Sequence, residues 1–187
     1  MKKWLIALMM TMMLAGCSTN PDKGTEQPQS PQKEIEPIDP PDNAVSAKVI
    51  DVTDGDTIDV KMNGKKETIR MLLIDTPETY AGHDPYGKEA TAFAEKLLDG
   101  KNIKLEIGDP KRGKYDRLLA YVYVDGKMYN QMILREGLAR LAYIYPPNLK
   151  YINTLRDVES IAQRKDKNIW SIPGYVGNTD YHKDIVK

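Results

Sequence analysis

The chain has 187 residues, one cysteine, and 27 acidic against 27 basic side chains, for a formal net charge of zero. That length holds one domain with short appendages, and a single cysteine excludes an intramolecular disulfide framework. An even charge balance carries no global signature of nucleic-acid binding, so any such reading must come from local patterns.

Met1-Lys2-Lys3 is a short positive start, followed by an apolar run over residues 4–14 and then Leu14-Ala15-Gly16-Cys17. The run is shorter than the roughly 20 residues that span a bilayer. Charged start, short apolar core and small residues before a break form the layout of a secretory signal, here residues 1–16. Leu14-Ala15-Gly16-Cys17 resembles the lipobox of bacterial lipoproteins. The resemblance implies that Cys17, the sole cysteine, is lipidated and becomes the first mature residue. The protein is then expected on the extracytoplasmic face of the cell membrane, with partial release to the exterior as a second fate. Residues 18–43 hold six prolines and six acids against two lysines, with Ile35 and Ile38 as the sole large aliphatic residues. Such a composition buries too little apolar surface to offset ordering, so residues 17–43 are expected to form an extended, solvated spacer. Without its charge of −4, and without Lys2 and Lys3, residues 44–187 carry about +2, which is only mildly basic.

From Val45 the pattern becomes that of a compact domain. Residues 45–52, 57–62 and 66–74 read as strands, separated by Asp54-Gly55 and Asn63-Gly64, the dipeptides that most strongly signal hairpins. A helix is predicted over 87–98, with Ala90, Phe93, Ala94 and Leu97 on one face, ended by Asp99-Gly100. Residues 103–107 and 118–124 read as two more strands, the second closing at Asp125-Gly126, and 128–136 as a short helix stopped by Gly137. A third helix is predicted from 148 to 164, its apolar face being Tyr151, Leu155, Val158 and Ala162. Five strands with a helix between the third and fourth predict an α+β domain over 44–175, a five-stranded OB-fold β-barrel with three α-helices. Residues 176–187 are read as a tail.

Three segments carry clustered acids and basic residues that a simple barrel does not require. Thr53-Asp54-Gly55-Asp56-Thr57 can be a plain hairpin turn. The run from Arg70 to Asp75-Thr76-Pro77-Glu78 can be a strand entering a proline turn, but an arginine inside so apolar a strand calls for a partner anion. Residues 111–117, Lys-Arg-Gly-Lys-Tyr-Asp-Arg, can be a solvated basic loop. Together they suggest a site. Asp56 and Asp75 lie at the mouths of neighbouring predicted strands, where two carboxylates can converge on a hard cation such as calcium or magnesium. Arg70 and Arg117 can clamp a phosphate, and Glu78 can position or deprotonate a water. His83 and His182 are isolated and offer no zinc site.

These segments closely resemble the staphylococcal nuclease (thermonuclease) family over roughly residues 47–170. The resemblance is carried by Asp54-Gly55-Asp56-Thr57, Arg70 through Asp75-Thr76-Pro77-Glu78, and Lys114-Tyr115 with Arg117 ahead of Leu119-Ala120-Tyr121. Gly137-Leu138-Ala139, Ala142-Tyr143-Ile144-Tyr145 and Asn168-Ile169-Trp170 complete it. It implies one Ca²⁺ held by Asp56, Asp75 and the Thr76 carbonyl, with Asp54 as a nearby acid. It implies Glu78 as general base, and Arg70 and Arg117 on the 5′-phosphate and the transition state. Lys114, Tyr115, Tyr143 and Tyr145 would bind the nucleotide, although strand packing is an equal reading of Tyr145. The implied activity is hydrolysis of DNA and RNA, with single strands preferred because tyrosine faces stack on any base, by a monomeric enzyme. A non-catalytic nucleic-acid-binding lipoprotein on the same barrel is the alternative. Against it, Asp56, Asp75 and Glu78 would repel phosphate unless a cation bridges them. Asp116 and Leu118 flank Arg117 where the family commonly has glycines.

Overall fold

The computed structural model describes residues 35–79 and 84–185. The expected signal, Cys17, the spacer up to residue 34, and His83 lie outside the described residues. No helix among the described residues is long and apolar enough to cross a membrane.

Strands β1 (Val45–Val52), β2 (Thr57–Met62) and β3 (Lys65–Met71) pair antiparallel in succession. Asn63 and Gly64 take φ of 49° and 77°, the positive values that a two-residue hairpin of matching twist needs. After a two-residue β4 (Ile74–Asp75), helix α1 (Gly87–Leu98) buries Ala90, Ala94 and Leu98, with Phe93 and Leu97 partly buried beside them. Strand β5 (Asn102–Arg112) pairs antiparallel with β1 and with β6 (Leu118–Val124), and β6 pairs parallel with β3. That last pairing closes a five-stranded barrel in the order β3-β2-β1-β5-β6. A short β7 (Lys127–Met128) leads into α2 (Tyr129–Glu136), and β8 (Arg140–Leu141) precedes α3 (Ile152–Arg164). The expected α+β OB-type barrel with three helices is therefore observed. Its core includes Ile58, Ile69 and Leu105, each fully buried and each contributing about 1.5–3 kcal/mol of transfer free energy.

Several boundaries differ from the sequence expectation, for tertiary reasons. The third strand does not run through to Ile74. It breaks at Leu72-Leu73, where Leu73 takes φ of 61°, a conformation that costs a leucine on the order of 1–3 kcal/mol. The break is held from outside: the buried Asn130 side chain donates to the Leu72 carbonyl (2.9 Å) and accepts from the Val122 amide (3.0 Å). The Ala142 amide donates to the Leu73 carbonyl. Helix α3 starts at Ile152 rather than 148 because Asn148 is used elsewhere. Its side chain accepts from the Asp109 amide (2.8 Å), and its carbonyl accepts from the Tyr121 hydroxyl (2.9 Å). Strand β5 extends to Arg112, whose guanidinium pairs with Glu67 at 2.8 Å, so the basic loop is shorter than the sequence suggests.

Residues 35–43, expected to belong to the solvated spacer, lie against the domain instead. Ile35 and Ile38 pack on the core. The Ile38 amide donates to Gln131 Oε1 (3.0 Å), the Ile38 carbonyl accepts from the Met128 amide, and Gln131 Nε2 donates to the Glu36 carbonyl. The two aliphatic residues of that polar stretch supply the apolar surface that anchors it. The tail expected from residue 176 is packed at Tyr181, which is 6% exposed and lies 5.2 Å, ring centre to ring centre, from the buried Tyr175.

Candidate active site

The strand break brings the acids together. Beyond Leu73 the chain turns so that β4 pairs with β8 in a two-residue ladder, with Asp75 opposite Arg140. On the facing turn, Gly55 sits so close to Thr76 that an added Cβ would lie 2.7 Å from its methyl carbon. Only glycine permits this approach. It carries Asp56 onto Thr76, whose amide and hydroxyl both donate to Asp56 Oδ2 at 2.9 and 3.1 Å. Asp54 Oδ1 accepts from the Asp56 amide at 3.0 Å.

Arg70 joins the two aspartates. Its guanidinium lies 2.6 Å from Asp56 Oδ1 and 3.1 Å from Asp75 Oδ1, and it also donates to the Ile74 carbonyl at 3.1 Å. Burial opposes the charge on Arg70, but Asp56 and Asp75 outweigh it and raise its pKa. This is the partner anion that an arginine in an apolar strand required. Burial, and then the neighbouring Asp56, raises the Asp75 pKa, while Arg70 and Arg140 oppose the rise. The same two causes push Asp54 from 3.8 up to about 7. Glu78 is exposed as a residue, yet its carboxylate is partly desolvated. That desolvation, with Asp56 and Asp75, raises its pKa; Arg70 and Lys183 pull it down.

One face of Arg70 opens into a cleft of about 670 Å³ lined also by Leu72, Leu119, Lys114, Tyr115, Arg117, Tyr143 and Tyr145. Tyr115, Tyr143 and Tyr145 are 69%, 57% and 70% exposed, which excludes strand packing as their role. The Arg70 guanidinium carbon lies 5.1 Å from the Tyr143 ring centre, and that of Arg117 5.6 Å from the Tyr115 ring centre. Asp116 takes φ of 58° between them, a left-handed conformation that aspartate tolerates better than most residues. A turn closed by the Asp116 amide on the Gly113 carbonyl, and by the Gly113 amide on the Arg117 carbonyl, holds this corner.

The predicted site residues among the described ones thus fall in one region, as carboxylates on one side of Arg70 and a cationic, aromatic cleft on the other. The sequence reading missed Arg140. It is buried, and its Nη2 donates to Asp75 Oδ2 at 2.9 Å. The signal was available: Arg140 stands inside Leu138-Ala139-Arg140-Leu141-Ala142, as apolar a run as the one around Arg70.

The comparisons with known proteins agree with this geometry. The family described as Staphylococcal nuclease homologue matches residues 68–172. The chain belongs to that family. Endonuclease YncB of Bacillus subtilis (strain 168) is 41% identical over 205 residues, covering 95% of this chain and 95% of that protein. SPbeta prophage-derived endonuclease YokF of the same organism is 46% identical over 145 residues, 72% of this chain and 49% of that protein. Thermonuclease of Staphylococcus hyicus is 42% identical over 132 residues, 69% of this chain and 78% of that protein.

A cation is a sound chemical match for the carboxylate side of the site. Four acids, Asp54, Asp56, Asp75 and Glu78, crowd around two buried arginines, and Asp54 is held near neutral pH. Among the described residues no group of three or more His, Cys, Asp or Glu side chains is placed to hold a metal ion as the side chains stand. The cluster is made of carboxylate oxygens, the hard ligand type that calcium prefers.

Proposed function

We propose that this protein is a calcium-dependent nuclease that hydrolyses DNA and RNA phosphodiesters at the 5′-oxygen bond and leaves 3′-phosphate ends. The observation that carries the reading is Arg70. It bridges two buried aspartates on one side and faces a cleft with a second arginine and three exposed tyrosines on the other. A phosphate in that cleft lies between guanidinium donors and acidic residues, and a pure binding groove has no use for the acids. The names of the relatives, endonuclease and thermonuclease, support the same chemistry.

In this reading Asp56, Asp75 and the Thr76 carbonyl hold the ion, with Asp54 beside them. A bound dication supplies Lewis-acid stabilisation to a phosphoryl oxygen. Arg70 and Arg117 donate to the phosphoryl oxygens, where charge accumulates as the phosphorus becomes five-coordinate. Glu78, raised above the ordinary glutamate range, takes the proton of the attacking water. Tyr115, Tyr143 and Tyr145 offer faces for unpaired bases, each stack being worth about 1–3 kcal/mol, which favours single strands. Lys114 adds positive charge at the rim.

Full-length protein incubated with single-stranded DNA is expected to release 3′-phosphate products in calcium and none in excess chelator. Undiminished cleavage in chelator would remove calcium from the reading.

The lipobox-like Leu14-Ala15-Gly16-Cys17 supports a second element of the proposal: a lipid on Cys17 holds the enzyme on the extracytoplasmic face of the cell membrane, as a monomer. Cys17→Ala is expected to leave the membrane fraction or accumulate unprocessed. A variant that fractionates and matures like the parent overturns the anchor.

A further inference from the structure

The family match ends at residue 172, but the chain beyond it returns to the site. Tyr181, 6% exposed, donates its hydroxyl to the Asp75 carbonyl at 2.8 Å. Its ring lies 5.3 Å from the Arg140 guanidinium and 5.2 Å from the ring of Tyr175. Arg140 Nη2, which holds Asp75 Oδ2, also donates to the Thr179 carbonyl at 2.6 Å. Asp75 is therefore gripped twice by this segment, directly by Tyr181 and through Arg140.

A second contact reaches the other acid. Asp84 is buried, and its Oδ2 accepts from the Glu78 amide at 3.1 Å while its own amide donates to the Glu78 carbonyl. That same Oδ2 lies 2.8 Å from Lys183 Nζ, and the Tyr175 hydroxyl donates to the Pro85 carbonyl at 3.0 Å. A buried carboxylate without a counter-charge is expensive, so Lys183 stabilises the ionised Asp84 that holds the backbone of Glu78.

We propose that the segment from Tyr175 to Lys183 is a positioning element of the active site, with Tyr181 setting Asp75 and Lys183 setting Glu78 through Asp84. The proposal rests on the nuclease reading of Asp75 and Glu78 and assigns new roles to residues beyond the matched family region. Outer contacts of this kind orient groups that meet metal or substrate, and losing one typically costs 10–100-fold in affinity or activity.

The two contacts make separable predictions in the full-length protein. Tyr181→Phe keeps the ring against Tyr175 and Arg140 and loses only the hydroxyl. Its calcium affinity by titration calorimetry is expected to fall about tenfold with the thermal midpoint nearly unchanged. Lys183→Met is expected to lower kcat about tenfold, with calcium affinity and KM for a single-stranded oligonucleotide unchanged, and Lys183→Arg is expected to restore kcat. Wild-type values in both Tyr181→Phe and Lys183→Met overturn the proposal, as do losses that disappear when each variant is assayed well below its own thermal midpoint. Wild-type protein run in parallel separates the two levels. If it neither binds calcium nor cleaves, the nuclease reading fails. If it does both while the variants match it, the positioning role alone fails.

Discussion

Replacing Arg117 with alanine is expected to lower kcat on single-stranded DNA by about 10²–10³-fold while leaving the thermal midpoint close to that of the parent. Arg117 sits at the exit of a backbone-closed turn, over the exposed ring of Tyr115, and among the described residues no buried carboxylate is paired with it. Removing it strips the cleft of a guanidinium without uncovering an unsatisfied charge in the protein. The loss therefore falls on the transition state, where a preorganised donor meets developing negative charge. Steady-state kinetics with a parallel thermal melt checks this. A variant with near-parental kcat would show that the phosphate is clamped elsewhere.

Arg70→Ala has a different expected signature, because Arg70 belongs to the fold as well as to the chemistry. Its guanidinium compensates Asp56 and Asp75, both buried, and binds the Ile74 carbonyl at the strand break. Taking away one partner of a buried ion pair typically costs about 3–5 kcal/mol, since the surviving charges stay desolvated. The variant is expected to lose activity by at least as much as Arg117→Ala and to unfold at markedly lower denaturant. Calcium, if it binds Asp56 and Asp75, should recover part of that stability, because a ligand bound only to the native state stabilises it by mass action. Denaturant melts with and without calcium read this directly. Parental stability in Arg70→Ala would mean that the two aspartates are neutral or hydrated rather than paired with Arg70. The contrast between the two arginines tests the division of the site into a carboxylate side and a cleft side.

Much of this was legible in the sequence because the signals are local. Alternation and the Asp-Gly and Asn-Gly turns located the barrel strands, and an i, i+4, i+7 stripe located α3. Arginine among Met71, Leu72, Leu73 and Ile74 demanded an anion, and Asp56 and Asp75 of the flagged motifs supplied it. What escaped was long-range. Leu73 carries no turn signal, and distant partners hold its left-handed φ: Asn130, 58 residues from Leu72, on the Leu72 carbonyl, and the Ala142 amide on the Leu73 carbonyl. Arg140 falls between the motif fragments Gly137-Leu138-Ala139 and Ala142-Tyr143-Ile144-Tyr145 and went unmarked, although the logic that flagged Arg70 applied to it equally.

The sequence by itself determined the fold class, the acid–arginine set apart from Arg140, and the aromatic character of the cleft. Residue type and spacing specify hydrophobic faces, turns and chemical inventory over short distances. The tertiary structure alone decided which arginine holds which aspartate, that Ile35 and Ile38 dock on the domain, and that Tyr181 and Lys183 reach back to the site. Those contacts join residues tens of positions apart. The polar ones form because a buried charge or carbonyl requires a partner, Ile35 and Ile38 dock because apolar surface leaves water, and only the folded chain determines which partner is within reach.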